Sequence, residues 1–326
     1  MLPYIDVLSH LDHIRYCSGQ DLANTFGVTR ATIHNCILRL EAMGINIHRV
    51  RGKGYKLVNP LDILNEQALL SKLSIPVSNK LAELKILHEV DSTNEFIAKY
   101  DLPAASHFSV VLAEMQTAGK GRRGRPWVSP YAANIYMSVL WNLQKSLNQV
   151  GALSPLLAIS IVQALSAIGV TGLGLKWPND IYCQNKKLAG LLIECSGEMS
   201  GSTKIVIGVG VNVRMSQQDN VHIDQQWTDI ISNASNKATS RNEVAACLLN
   251  SLVPLLDKFD STDIESLTDD WAQWDILRDA PVVLHTPREN ITGIARGIDR
   301  NGCLLLETDN GVQHVSAGDV SLRAQS

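Results

Sequence analysis

The stretch Gln116-Thr-Ala-Gly-Lys-Gly-Arg-Arg-Gly-Arg-Pro-Trp127 sets four cations among three glycines. Glycine lets a backbone close tightly around an oxyanion and leaves its N–H groups unshielded. Lys120, Arg122, Arg123 and Arg125 add charge that backbone dipoles alone do not supply. The spacing predicts a loop that holds a phosphate; the plainer alternatives are a solvated basic loop or a nucleic-acid arm. The loop is strung between strands. Residues 108–113 read as a buried strand delivering Glu114 and Gln116 to it. Residues 134–141 read as a second strand, with Ile135, Met137, Val139 and Trp141 on one face.

Working outward, residues 84–90 read as a strand leading to Asp91-Ser92-Thr93-Asn94. These side chains suit an N-cap and also hydrogen bonds to a small polar ligand; capping alone explains one of the four. Downstream, residues 151–169 form a helix rich in small residues, and residues 173–175 lead into Lys176-Trp-Pro-Asn-Asp-Ile-Tyr182. Pro178 interrupts any central ladder. Asn179 and Asp180 therefore stand at a strand end or turn beside a cation, as a nucleotide and its Mg²⁺ require, although such turns are also common in plain loops. Lys187 falls on the face opposite Leu188, just before an apolar strand. In Ile205-Val-Ile-Gly-Val-Gly-Val-Asn-Val213, Gly208 and Gly210 share one face and leave a slot for a flat or narrow ligand. A dinucleotide-binding turn fails here, with no third glycine and no helix at the required spacing.

The bulk properties describe a soluble globular protein: 326 residues, 45% hydrophobic and 19% charged, long enough for two or three domains. Six cysteines at 17, 36, 183, 195, 247 and 303 form no Cys-x-x-Cys pair. That argues against a zinc site or disulfide framework and for reduced thiols in a cytoplasmic protein. No leader peptide is expected, and no apolar run reaches the ~18 residues that would span a bilayer. The net charge of −3 is uneven, because residues 1–58 carry +3 and the remainder −6. A basic module on an acidic body suggests a polyanion partner for the module.

That module reads as a helix over 4–12, a second over 20–26 ended by Gly27, and a third over 30–43 capped by Thr29. Counted from Gly19, Ala23 is fifth, Gly27 ninth and Ile33 fifteenth, the small, turn and core positions of a helix-turn-helix. Residues 45–57 then alternate around Gly52-Lys53-Gly54, a hairpin with a basic tip. The whole is a winged helix. It would place Arg30, Thr32, His34 and Asn35 near base edges or phosphates and Arg49, Arg51 and Lys53 on the backbone of DNA. Helix spacing alone is also compatible with a three-helix protein-interaction module. Val58 to Asp62 reads as a linker to a short helix near 64–73.

Taken together, these motifs resemble the bifunctional biotin–protein ligase and biotin-operon repressor family, over nearly the whole chain. The resemblance implies an α+β protein: a winged helix-turn-helix over 1–62, a mixed α/β catalytic domain of the biotin/lipoate ligase type over 63–276, and a C-terminal SH3-like β-barrel over 277–326. Short strands at 282–285, 291–298, 303–307 and 312–316 fit such a barrel. It implies ATP and biotin as substrates, Mg²⁺, and biotinyl-5′-AMP as intermediate and corepressor. The implied partners are the biotin carboxyl carrier protein of acetyl-CoA carboxylase, biotin operator DNA and a second copy in a ligand-promoted homodimer, with no membrane. By motif, Ser92, Thr93, Asn94, Gln116, Lys120, Gly121, Arg122, Lys187, Gly208 and Gly210 resemble biotin contacts. Arg122, Arg123, Arg125, Trp127, Lys176, Asn179, Asp180, Asn212, Trp227 and Arg323 resemble ATP and adenylate contacts. Lys187 and Arg122 carry the catalytic expectation, Asp180 the metal. Where the family reads Gly-Arg-Gly-Arg-Arg-Gly, this chain has Lys120, which keeps charge and loses the bidentate fork. Two other readings are a sensor without catalysis and a lipoate or octanoate transferase; intact Lys187 and the winged helix weigh against them.

Overall fold

The computed structural model describes residues 4–101, 107–143, 150–196, 203–215, 223–235, 239–259, 266–286, 289–317 and 321–324. At its N-terminus three helices, α1 (Tyr4–Ser9), α2 (Gly19–Phe26) and α3 (Arg30–Ala42), pack under a hairpin of β1 (Ile47–Val50) and β2 (Gly54–Leu57). Local chemistry sets each boundary. Ser18 accepts from the amides of Gln20 and Asp21, Gly27 adopts a left-handed φ of 63°, and Thr29 accepts from the amide of Thr32. Ile33, Ile37 and Leu40 are fully buried with Val7, Leu22 and Ala23. Helix α1 stops at Ser9, short of the expected residue 12, but Leu11 still packs into the core. At Gly54 an added Cβ would lie 2.0 Å from the Cys17 carbonyl oxygen, so only glycine lets the wing close on the chain before α2.

Two short helices, α4 (Glu66–Leu70) and α5 (Ile75–Lys80), lead into a seven-stranded sheet. Its strands are β3 (Leu81–Leu87), β4 (Phe108–Ala113), β5 (Ile135–Leu143), β6 (Leu173–Lys176), β7 (Asp180–Cys183), β8 (Lys186–Ser196) and β9 (Thr203–Val211), with α6 (Thr93–Ile97) after β3, α7 (Val150–Ala167) after β5 and α8 (Ile230–Asn233) after β9. The order is β3-β4-β5-β9-β8-β7-β6, and only β3 and β4 run parallel. Strand β3 ends at Leu87 instead of the expected residue 90, which leaves 88–91 as a loop beside the root of the Gly/Arg segment. Strand β5 is buried along its whole length, not on one face only. One side of the sheet meets α7 and α9 (Arg241–Lys258); the other meets α6 through Ile97, Val111, Leu140 and Val206. Ser240 and Glu243 form a reciprocal capping box at the start of α9.

The linker is fastened by a buried ion pair. Arg241 donates to Glu114, and both side chains are 0% exposed. Its guanidinium also donates to the carbonyls of Asp62 and Asn134, while Glu114 accepts from the Leu64 amide at 2.6 Å. A five-stranded antiparallel sheet ends the chain, in the order 311–315, 304–308, 290–298, 281–285 and 321–324. Its longest strand shifts register between Ala295 and Ile298.

Candidate functional site

A cavity of about 660 Å³ opens where the ends of β4, β7, β8 and β9 meet the Gly/Arg loop. Every residue expected to contact biotin or nucleotide lines it, from Ser92 through Gln116 and Lys187 to Arg323. The motifs are far apart in sequence, and antiparallel pairing brings them together: Asp180 opposes Gly190, and Gly190 opposes Gly210.

One half of the cavity is lined by neutral polar groups. The Thr93 amide and hydroxyl donate to Gln116 Oε1 at 2.8 and 3.0 Å, and Gln116 Nε2 donates to Ser129 at 3.1 Å. Asn94 Nδ2 donates to Glu194 at 2.7 Å, and the Ser138 hydroxyl lies 2.6 Å from Asn94 Oδ1. Ser92, Thr93 and Asn94 are all buried, and Ser92 makes no side-chain cap. The expected glycine slot is occupied by the protein itself. An added Cβ on Gly208 would meet Asn94 Oδ1 at 2.5 Å, and one on Gly210 would meet the Trp127 ring at 2.6 Å. Trp127 Nε1 is buried there with no hydrogen-bond partner among the described residues.

The other half is cationic. Seven cations line the cavity against two acids, Asp180 and Asp224. Lys187 Nζ lies 2.8 Å from Asp180 Oδ1 and 5.4 Å from the centre of the Trp127 ring. Burial and the nearby charges of Lys187, Arg323 and Arg125 lower the Lys176 pKa, with Asp180 opposing them. Tyr182, 3.4 Å from Lys176 Nζ, has its phenol pushed up to about 12 by burial and by Asp180. Arg122 donates to Asn179 Oδ1 at 3.3 Å and to the Ala317 carbonyl, joining the loop to the C-terminal sheet. Asn212 donates to the Thr228 carbonyl at 3.1 Å. Trp227 reaches the cavity because its segment pairs with Lys187: the Lys187 amide donates to Gln226, and the Thr228 amide donates back to Lys187. Among the described residues no three His, Cys, Asp or Glu side chains cluster as a metal site.

Three regions of the chain match known protein families. Residues 6–56 match the HTH domain model, 87–212 the biotin/lipoate A/B protein ligase family, and 280–323 the biotin protein ligase C-terminal domain. The bifunctional ligase/repressor BirA of Escherichia coli is 33% identical over 98% of this chain and 97% of its own length. The chain belongs to the bifunctional biotin ligase/repressor family. The Bacillus subtilis BirA is 28% identical, with 94% of each chain covered. The structure of Aquifex aeolicus biotin protein ligase in complex with biotin and ATP superposes with a TM-score of 0.63 at 27% identity. That match covers 75% of this chain and all of the other.

In this family member the winged helix exposes Arg30, His34 and Asn35 on α3, and Arg51 and Lys53 at the wing tip. Thr32 is half-buried, its hydroxyl 3.0 Å from that of Thr29 at the cap. Arg49, expected on phosphate, is paired with Glu41 on α3, with Nε 2.7 Å from Oε1. The Lys120 ammonium is paired with Glu95 at the rim of the cavity. Sequence reasoning missed Ser138, Glu194 and Tyr182. A lone serine in the apolar strand β5 was one available signal, and Tyr182 two residues beyond Asp180 on β7 was another. No described helix is long and apolar enough to cross a membrane.

Proposed function

We propose that the chain activates biotin with ATP and transfers it to a lysine of the biotin carboxyl carrier protein, and that its adenylate-bound dimer represses the biotin operon. The single observation that carries this is one cavity split into a neutral polar half and a cationic half. Biotin, a neutral bicycle bearing a carboxylate, suits the web of Thr93, Asn94 and Gln116. A triphosphate suits Lys176, Lys187, Arg122 and Arg125. The reaction needs two anions to meet, the biotin carboxylate and the α-phosphate, so the required device is positioned positive charge more than a general base. Lys187 stands at the junction of the halves. In the free protein it rests on Asp180, and exchanging that carboxylate for the two reacting anions would place its ammonium between them. Carboxylate oxygen then bonds to α-phosphorus as pyrophosphate leaves, and a carrier lysine later displaces AMP from the mixed anhydride.

Asp180 offers one carboxylate for Mg²⁺, which fits an ion that arrives bound to phosphates and keeps its own water. The ion would neutralise the departing pyrophosphate. The unpaired Trp127 Nε1–H supports a ligand acceptor over Gly210. The roles of Asn212, Trp227 and Arg323 on the adenine side belong to the same proposal. So do the boundaries 1–62, 63–276 and 277–326 and an SH3-like closure of the last sheet. DNA contact through Arg30, His34, Asn35, Arg51 and Lys53 gives the repressor half, with two copies meeting the two halves of a palindromic operator. Biotin-dependent exchange between pyrophosphate and ATP tests the enzyme. A chain that bound biotin and ATP but catalysed no exchange would not be a ligase.

A further inference from the structure

The Gly/Arg loop is a small hairpin, and two different cations tie it down on two sides. Lys120 pairs with Pro126 across it, the Gly121 amide donates to Arg125 at 2.7 Å, and the Trp127 amide donates to Gly119 at 2.8 Å. At its tip Arg122 reaches across the cationic half to Asn179 and Ala317. At its root Lys120 is paired with the carboxylate of Glu95. Glu95 follows Asn94 on α6 and lies outside the cavity lining, so the Lys120 ammonium is drawn to the rim. Glu194, which holds Asn94, adds further negative charge near that ammonium.

A biotin carboxylate approaching Lys120 would compete with a carboxylate already in place. An arginine fork can serve two anions; an ammonium is a compact point charge. We infer that Lys120 is a positioning residue acting through Glu95. The pair clasps the root of the loop to the helix that carries Thr93 and Asn94, and so sets how long the loop stays closed over the adenylate. The inference rests on the ligase reading for what the loop retains, not for the clasp itself. Both side chains are close to half exposed, at 48% and 47%, so the clasp is weak and sensitive to salt, as a part that must open requires.

The test uses full-length protein and two readouts. Trypsin cleaves after Lys120, Arg122 and Arg123 inside the loop, and the readout is cleavage after the two arginines, identified by fragment mass. In the ligand-free protein at low salt, Glu95→Gln should raise that cleavage about threefold. About 1 M NaCl should bring the wild type to the rate of the variant. With biotin and ATP, the same variant should release preformed adenylate about threefold faster. The charge swap Glu95→Lys with Lys120→Glu should restore both rates. The inference is overturned if Glu95→Gln leaves cleavage unchanged. It is also overturned if Lys120→Met raises the KM for biotin while Glu95→Gln leaves cleavage and release at wild-type values. Failure of every protein to form adenylate would sink the ligase reading, and the tryptic comparison would still decide the clasp.

Discussion

Glu114 and Lys120 stand six residues apart on one segment, yet their ion pairs work in opposite regimes. The Glu114–Arg241 pair is wholly buried and laced to Asp62, Leu64 and Asn134, with partners for both carboxylate oxygens and all three guanidinium nitrogens. The Lys120–Glu95 pair stands at the rim, open to water and salt. A buried charge pair holds only while every partner is present, because each ion left alone faces its full desolvation cost. An exposed pair opens and closes at little cost. One segment thus enters the cavity from a fixed anchor and ends in a releasable one. The anchor fixes where the loop starts, and the clasp governs whether it is shut.

The sharpest way to break this contrast is to strand Glu114. Arg241→Met should destabilise the protein by about 4 kcal/mol, read as a lower urea midpoint of tryptophan fluorescence. Adding Glu114→Gln should recover part of the loss, since the uncompensated charge is gone. A loss of only a few tenths would mean that water reaches Glu114, and the two pairs would no longer differ in kind. Next in size is Lys187→Ala. It should lower biotin-dependent exchange about 100-fold while leaving the urea midpoint near wild type, because Lys187 faces the cavity. A large stability loss would instead put the Lys187–Asp180 pair in the structural class of Glu114–Arg241.

The difference between these regions also marks what the sequence could disclose. The helix caps at Ser18, Thr29 and Ser240 act within a few residues, so their patterns are readable along the chain. The lining of the cavity was readable as separate motifs, each with its own chemistry. What joins them was not. Asn94 meets Glu194 across 100 positions and Arg241 meets Glu114 across 127, distances at which no periodicity carries information. The pairing of Lys120 with Glu95 was hidden for another reason, since either charge alone reads as ordinary surface. Trp127 filling the space above Gly210 needed the loop and strand β9 in one frame.

A third test concerns Lys176, which belongs to neither regime: half-buried, cationic, and crowded by like charge. Its lowered pKa makes its charge vulnerable at high pH. As pH rises through that value, below the ordinary 10.5, ATP should bind more weakly. Lys176→Arg should hold affinity flat across the same range, because arginine keeps its proton. Stability should move the other way. Between the folded and unfolded pKa the unfolded chain binds more protons, so this site favours folding as pH rises. Parallel changes in both quantities would show that some other group titrates.

The smallest expected effect carries the contrast to the wing, where Arg49 is held by Glu41 and Lys53 is exposed at the tip. A phosphate contact that releases one counterion lowers the slope of log affinity against log salt by about 0.9. Lys53→Ala should therefore reduce the salt slope of operator binding by about one unit, measured by fluorescence anisotropy across a salt series. Arg49→Ala should leave the slope nearly unchanged, because its charge is already matched by Glu41, and should weaken binding by loosening the wing against α3. If Arg49→Ala lost the full unit, Glu41 would have to release Arg49 to DNA. The pair would then be a clasp like Lys120–Glu95, opened by a polyanion in the same way.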